Sequence, residues 1–157
     1  MNHLAVLKEA VEIEWNATRT KAPPELQEHA LSVRTIFGAE GAALKVEVLW
    51  HRAGGCQATY SVSAMPSCPV VAITHEAIID KSLRNEGIGR WLAAFRLRAY
   101  RRAGFTAELC TVRTDNHASN ALVRKRGKLV TEVASEHGGS LNLWLTPIPL
   151  AVKVQPK

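Results

Sequence analysis

The feature that most constrains this chain is a glycine-bearing loop wedged between two strongly patterned segments. Before it, Val70 to Ile79 is an apolar run that reads as a strand. After it, Gly87 to Ala103 carries Ile88, Leu92, Phe95, Ala99 and Ala103 at helical spacing. The loop itself is Asp80-Lys81-Ser82-Leu83-Arg84-Asn85-Glu86-Gly87-Ile88-Gly89-Arg90. A helix start has free backbone N–H groups and a partial positive charge. Gly87 and Gly89 let the backbone approach a guest closely, and Arg84 and Arg90 add fixed charge. The natural guest is a phosphate or pyrophosphate.

The helix stops at Gly104-Phe105, and Ala107 to Thr114 then alternates as a strand. Strand, helix and strand in that order predict one parallel pair. Upstream, Leu44, Val46, Val48 and Trp50 alternate, Ala53-Gly54-Gly55 turns, and Ala58, Tyr60 and Val62 alternate again. With Val70 to Ile79 these make an antiparallel meander over residues 43–80. Downstream, His117 to Arg126 reads as a short helix stopped by Gly127. Residues 128–147 read as a closing hairpin around Gly138-Gly139. The first 40 residues read as helical: Leu4 to Trp15, then Glu25 to Phe37 after Pro23-Pro24, with Gly38 as the stop. The whole predicts an α/β fold with a mixed, mostly antiparallel central sheet, one parallel pair and helices on both faces. No repeat or linker divides it, so 157 residues are expected to form one domain, with 84–126 as its binding core.

Two familiar phosphate loops do not fit. A P-loop needs GxxxxGK[ST], which is absent. A dinucleotide fingerprint needs a small residue at position 92, where Leu92 stands.

Arg84-x-x-Gly87-x-Gly89 resembles the acetyl-CoA loop of the GNAT acetyltransferases, Arg/Gln-x-x-Gly-x-Gly/Ala. Asn116-His117-Ala118-Ser119, with Leu122, Lys125 and Gly127, resembles the family's second motif. The resemblance covers about Val70 to Leu145; no typical first strand is visible before it, although Leu4 to Leu7 offers a poor one. It implies acetyl-CoA as cosubstrate and transfer of the acetyl group to a primary amine of a small molecule or peptide. It implies that backbone groups of Ile78 and Ile79 bond the pantetheine arm, that amides of Asn85, Glu86, Gly87, Ile88, Gly89 and Arg90 hold the pyrophosphate beside the charge of Arg84, that the Asn116 side chain contacts the pantetheine side of the cofactor, and that Ser119 supports it. It implies that the parallel strands splay near Ile79 and Val112 to admit it. The family often has a tyrosine after the leucine of the second motif, to protonate the leaving thiolate; here Val123 follows Leu122.

Amine acetylation needs a base, because most amines are protonated at neutral pH. Counting by twos puts Ile73, His75, Ala77 and Ile79 on one strand face, which favours His75; it also resembles the placement in arylalkylamine N-acetyltransferases. A bulge would reverse the parity and favour Glu76. Ser119 also suits a helix cap, and Cys110 reads as core.

The net charge of +6 favours an anionic partner. Arg96, Arg98, Arg101 and Arg102, beside Trp91 and Tyr100, admit nucleic acid, although a solvated helix face is the simpler reading. A non-catalytic acyl-CoA-binding module is the closer alternative, given Val123. Cys56, Cys68 and Cys110 form neither a CxxC pair nor an even set, so no metal site or disulfide framework is expected, which suits a cytoplasmic protein. No apolar run reaches the roughly 20 residues that span a bilayer. Glu12, Glu14 and Glu25 offer negative charge to a cationic acceptor, and Trp144 marks either core or a homodimer surface.

Overall fold

The computed structural model describes residues 2–84 and 86–150. Asn85 lies outside the described residues, as does the side chain of Cys56.

Helix α1 (His3–Thr18) opens on Asn2, whose side chain accepts a hydrogen bond from the Ala5 N–H. It buries Leu4, Leu7, Val11 and Trp15 along one stripe. The second expected helix is a correction. Helix α2 (Pro24–Gln27) lasts one turn, and strand β1 (Ala30–Phe37) follows it. Leu26, Ala30, Val33 and Phe37 match helical spacing, but Leu31, Val33 and Thr35 alternate equally well, and Val33, Thr35 and Ile36 are β-branched. The ambiguity is settled by a neighbour: β1 pairs antiparallel with β2 (Ala43–Arg52), Leu31 opposite Trp50 and Val33 opposite Val48. The first strand therefore comes after α1. Leu4 to Leu7 are helical.

Strands β3 (Gly55–Met65) and β4 (Cys68–Ile79) complete the meander. Helix α3 (Ile88–Ala103) crosses to β5 (Ala107–Arg113), helix α4 (His117–Arg124) follows, and β6 (Lys128–Ala134) and β7 (Ser140–Pro147) close the chain. The sheet order is β1-β2-β3-β4-β5-β7-β6. Among the described residues only β4 and β5 pair in parallel.

Helices α1, α3 and α4 share one face of this sheet rather than covering both. Trp15 of α1 meets Phe95 of α3 edge-on at 6.3 Å. Tyr100 of α3 bonds Thr74 of β4, and Thr74 sits beside Cys110, itself opposite Trp144. Trp144 donates its indole N–H to Asn120 of α4. Two right-handed crossovers running the same way along a sheet place both helices on one side. The core fills that side, around Trp50, Phe95, Tyr100 and Phe105. Trp144, 2% exposed, belongs to it and not to the surface.

Three arginines of α3 pair with buried carboxylates. Arg98 and Arg102 pair with Glu14 of α1, which is buried, and Arg96 pairs with buried Glu108 of β5 at 2.6 Å. Buried carboxylates need such partners. Glu14 therefore ties α1 to α3 and is not a solvent-facing attraction for a ligand. No helix among the described residues is long and apolar enough to cross a membrane.

Candidate functional site

The site begins with an irregularity in β4. Thr59 of β3 faces Ile78 and Ser61 faces His75, so two steps on β3 match three on β4. The extra residue lies at a bulge, where Glu76 takes a φ of +51°, a left-handed conformation uncommon for a residue other than glycine. The bulge coincides with a parting of the parallel strands. β4 and β5 pair over Val71–Thr74 and Ala107–Cys110. Beyond that, residues 76–79 of β4 and 111–113 of β5 line opposite walls of a cavity of about 340 Å³. Backbone polar groups on the inner edge of a parted strand are available to a guest.

The loop after β4 shapes the rim. Asp80 accepts bonds from the Ser82 N–H and hydroxyl, which hold its carboxyl below the usual range. Arg84 Nε donates to the Ile79 carbonyl at 3.3 Å, folding the loop back on the strand end. Gly87 caps α3 at φ +73°, where a side chain would strain the backbone. Ile88 is fully buried and anchors the helix start, while Gly89 lines the cavity. Glu86 and Arg90 are exposed.

The opposite wall is α4. Asn116, not Ser119, supplies the cap: its Oδ1 accepts from the Ser119 N–H at 3.1 Å. Both residues line the cavity, as do Leu122 and Val123. Gly127 lets α4 end against the sheet, since a Cβ there would meet Thr146 Oγ1 at 2.7 Å and the Leu145 carbonyl at 2.9 Å.

No protein-family model and no curated protein sequence matches the chain. Solved structures do match. The ribosomal-protein-S18-alanine N-acetyltransferase from Escherichia coli superposes with a TM-score of 0.60 at 13% identity, over 82% of this chain and 100% of that one. A GNAT-family acetyltransferase from Streptococcus pneumoniae gives 0.58 at 14% identity, over 76% and 100%. The protein yncA from Salmonella typhimurium, solved with its cofactor acetyl-CoA, gives 0.54 at 16% identity, over 72% and 69%.

The chain has the GNAT acetyltransferase fold.

Within this GNAT fold, the residues expected from sequence divide in two. Ile78, Ile79, Gly89, Asn116 and Ser119 line one cleft, with Glu76 beside them. His75 is not among the lining residues. Its Nε2 lies 2.8 Å from Ser63 Oγ, and partial burial and then Lys45 hold its imidazole below the usual range. The bulge is the reason: it follows His75, so Ile73 and His75 share a face with Ile78 and no longer with Ile79. Arg84 acts through the Ile79 carbonyl instead of lining the cleft.

The sequence offers Tyr60 and Tyr100 as substitutes for the tyrosine missing at Val123 but places neither, and it does not show the inner end of the cleft. Tyr60, Thr74, Arg96 and Cys110 form it, all largely buried. In the sequence Arg96 reads as one of the solvated arginines, and only its spacing four residues after Leu92, on the apolar stripe, hints otherwise. Burial, then the Glu108 carboxylate, push the Cys110 thiol up to about 12, so it stays protonated and inert.

Proposed function

We propose that this chain transfers the acetyl group of acetyl-CoA to a primary amine of a small molecule or peptide. The observation that carries the reading is the parting of β4 from β5 beside a helix start capped by left-handed Gly87. The fit is chemical as well as spatial. Free N–H groups at the start of α3 suit a pyrophosphate. The unpaired edge at Ile78 and Ile79 suits the amide-bearing pantetheine arm. Asn116 has its Oδ1 in the helix cap, which leaves the amide nitrogen to donate to the same arm.

Glu76 is the base of this reading, in place of His75, because it stands on the bulge in the cleft wall. Its carboxylate lies 4.0 Å from Lys45 Nζ and is open to water. Glu76, directly or through one water, takes the proton of the incoming ammonium. The freed amine nitrogen then attacks the thioester carbonyl carbon; the C–N bond forms, the C–S bond breaks, the nitrogen gives its second proton to solvent as the amide forms, and the thiolate takes a proton from solvent. Val123 lines the cleft and cannot supply that proton. It favours the second reading, an acyl-CoA-binding module without turnover.

Calorimetric titration with acetyl-CoA, with NADH and ATP as controls, tests the cofactor. Micromolar binding of acetyl-CoA alone is the expected outcome; no binding by a folded sample would overturn the reading. Thiol release on a panel of amines then separates enzyme from binding module.

A further inference from the structure

The cleft runs from an exposed lip at Ile78 and Asn116 to the buried end at Tyr60, Thr74, Arg96 and Cys110. Some polar groups at that end satisfy one another. Thr74 Oγ1 bonds both Tyr100 Oη at 2.9 Å and Glu108, and Arg96 Nε donates to Glu108. Two groups are left over. The Tyr60 hydroxyl is buried and has no hydrogen-bond partner among the described residues. Arg96 meets no protein acceptor other than Glu108 among the described residues. The two belong together, with the Arg96 guanidinium carbon 5.7 Å from the Tyr60 ring centroid.

The Tyr60 ring has little room to turn away. Trp50 packs against it at 6.0 Å and Tyr100 edge-on at 6.3 Å. Tyr100 is the useful contrast. It is just as buried, its hydroxyl is bonded, and it does not line the cleft. A buried hydroxyl without a partner costs free energy unless something supplies one. Guanidinium is a donor only, and burial keeps the phenol protonated. A guest atom that bonds both Tyr60 and Arg96 must therefore be an acceptor.

We infer that the inner end of the cleft is an oxygen-binding subsite for the acyl group, in which Tyr60 and Arg96 donate to a carbonyl or carboxylate oxygen of the bound thioester. The inference rests on the acetyl-CoA reading. The oxygen has two sources, the thioester carbonyl or a carboxylate at the end of a longer acyl chain.

Calorimetric titration of the wild type and Tyr60→Phe with CoA, acetyl-CoA, butyryl-CoA and succinyl-CoA tests it. A thioester carbonyl at the subsite makes Tyr60→Phe lose about tenfold of the preference for acetyl-CoA over CoA, the scale of one hydrogen bond. A terminal carboxylate makes it lose a similar factor of the preference for succinyl-CoA over butyryl-CoA. Either loss supports the subsite and says which oxygen occupies it. The ligand-free variant should also melt at a higher temperature than the wild type, because an unpartnered buried hydroxyl has been removed. Arg96→Lys, which keeps the charge beside Glu108 but loses the planar fork, should lower the same preference. Unchanged preferences in both variants overturn the inference while leaving the cofactor reading intact. A lower melting temperature for Tyr60→Phe overturns it too, by showing the hydroxyl bonded within the fold. Failure of the wild type to bind any of the four defeats the acetyl-CoA reading itself, and the subsite with it.

Discussion

The two halves of the β4–β5 pair make the instructive comparison. Over Val71–Thr74 and Ala107–Cys110 the strands are hydrogen-bonded, and their side chains enter a buried network of Thr74, Glu108, Arg96 and Tyr100. A few residues further on, the same strands part, Glu76 adopts a left-handed conformation, and a cavity opens. In the paired half Thr74, Glu108 and Tyr100 find hydrogen-bond partners within the chain. In the parted half the facing strand edges open onto the cleft. Such a division lets a rigid floor hold an open site in place.

The largest effect should come from breaking the closed half. Glu108→Gln leaves Arg96 buried beside a neutral amide. Removing one member of a buried pair costs about 3–5 kcal/mol. Urea unfolding should show that loss; a midpoint like the wild type's would mean the ion pair does not stabilise the floor.

The open half should respond in chemistry, not in stability. Glu76→Gln should lower kcat/KM for amine acetylation about 100-fold and shift unfolding free energy by less than about 0.5 kcal/mol. Steady-state kinetics beside a melting curve checks both; full activity would remove Glu76 from the mechanism.

Gly87→Val falls between the halves. It strains the left-handed cap by about 1–2 kcal/mol and should weaken acetyl-CoA binding at least about tenfold. Unchanged affinity would say that the loop does not hold the cofactor.

The smallest effect belongs to His75, at the boundary but turned from the cleft. Its pKa is lowered in the fold, first by burial and then by Lys45. The unfolded chain therefore binds the proton first, near pH 6.5, so stability is present above that pH and is lost as pH falls below it. His75→Gln should reduce this acid-side loss, read as melting temperature between about pH 8 and 5, while changing kcat less than about twofold. A large fall in kcat would return His75 to the role of base.

Much of the site was legible because its signals are local. Gly87, Gly89, Asn116 and Gly127 mark a turn, a helix start, a cap and a close approach, each set by the residue itself and its near neighbours. Leu31 to Phe37 was less legible: its side chains suit either period, and pairing with β2 chose the strand. Arg96 looked like one more surface arginine because its partner Glu108 is distant along the chain.

By itself, then, the sequence determined the meander, the parallel crossover and the glycine-marked entrance to the cleft. Their causes, alternation, helical spacing and backbone freedom, are properties of short segments. The tertiary structure alone decided that Glu76 and not His75 stands in the cleft wall, that α1, α3 and α4 share one face, and that Tyr60 and Arg96 meet at its inner end. Those outcomes depend on how distant strands register and pack, and no short segment carries that information.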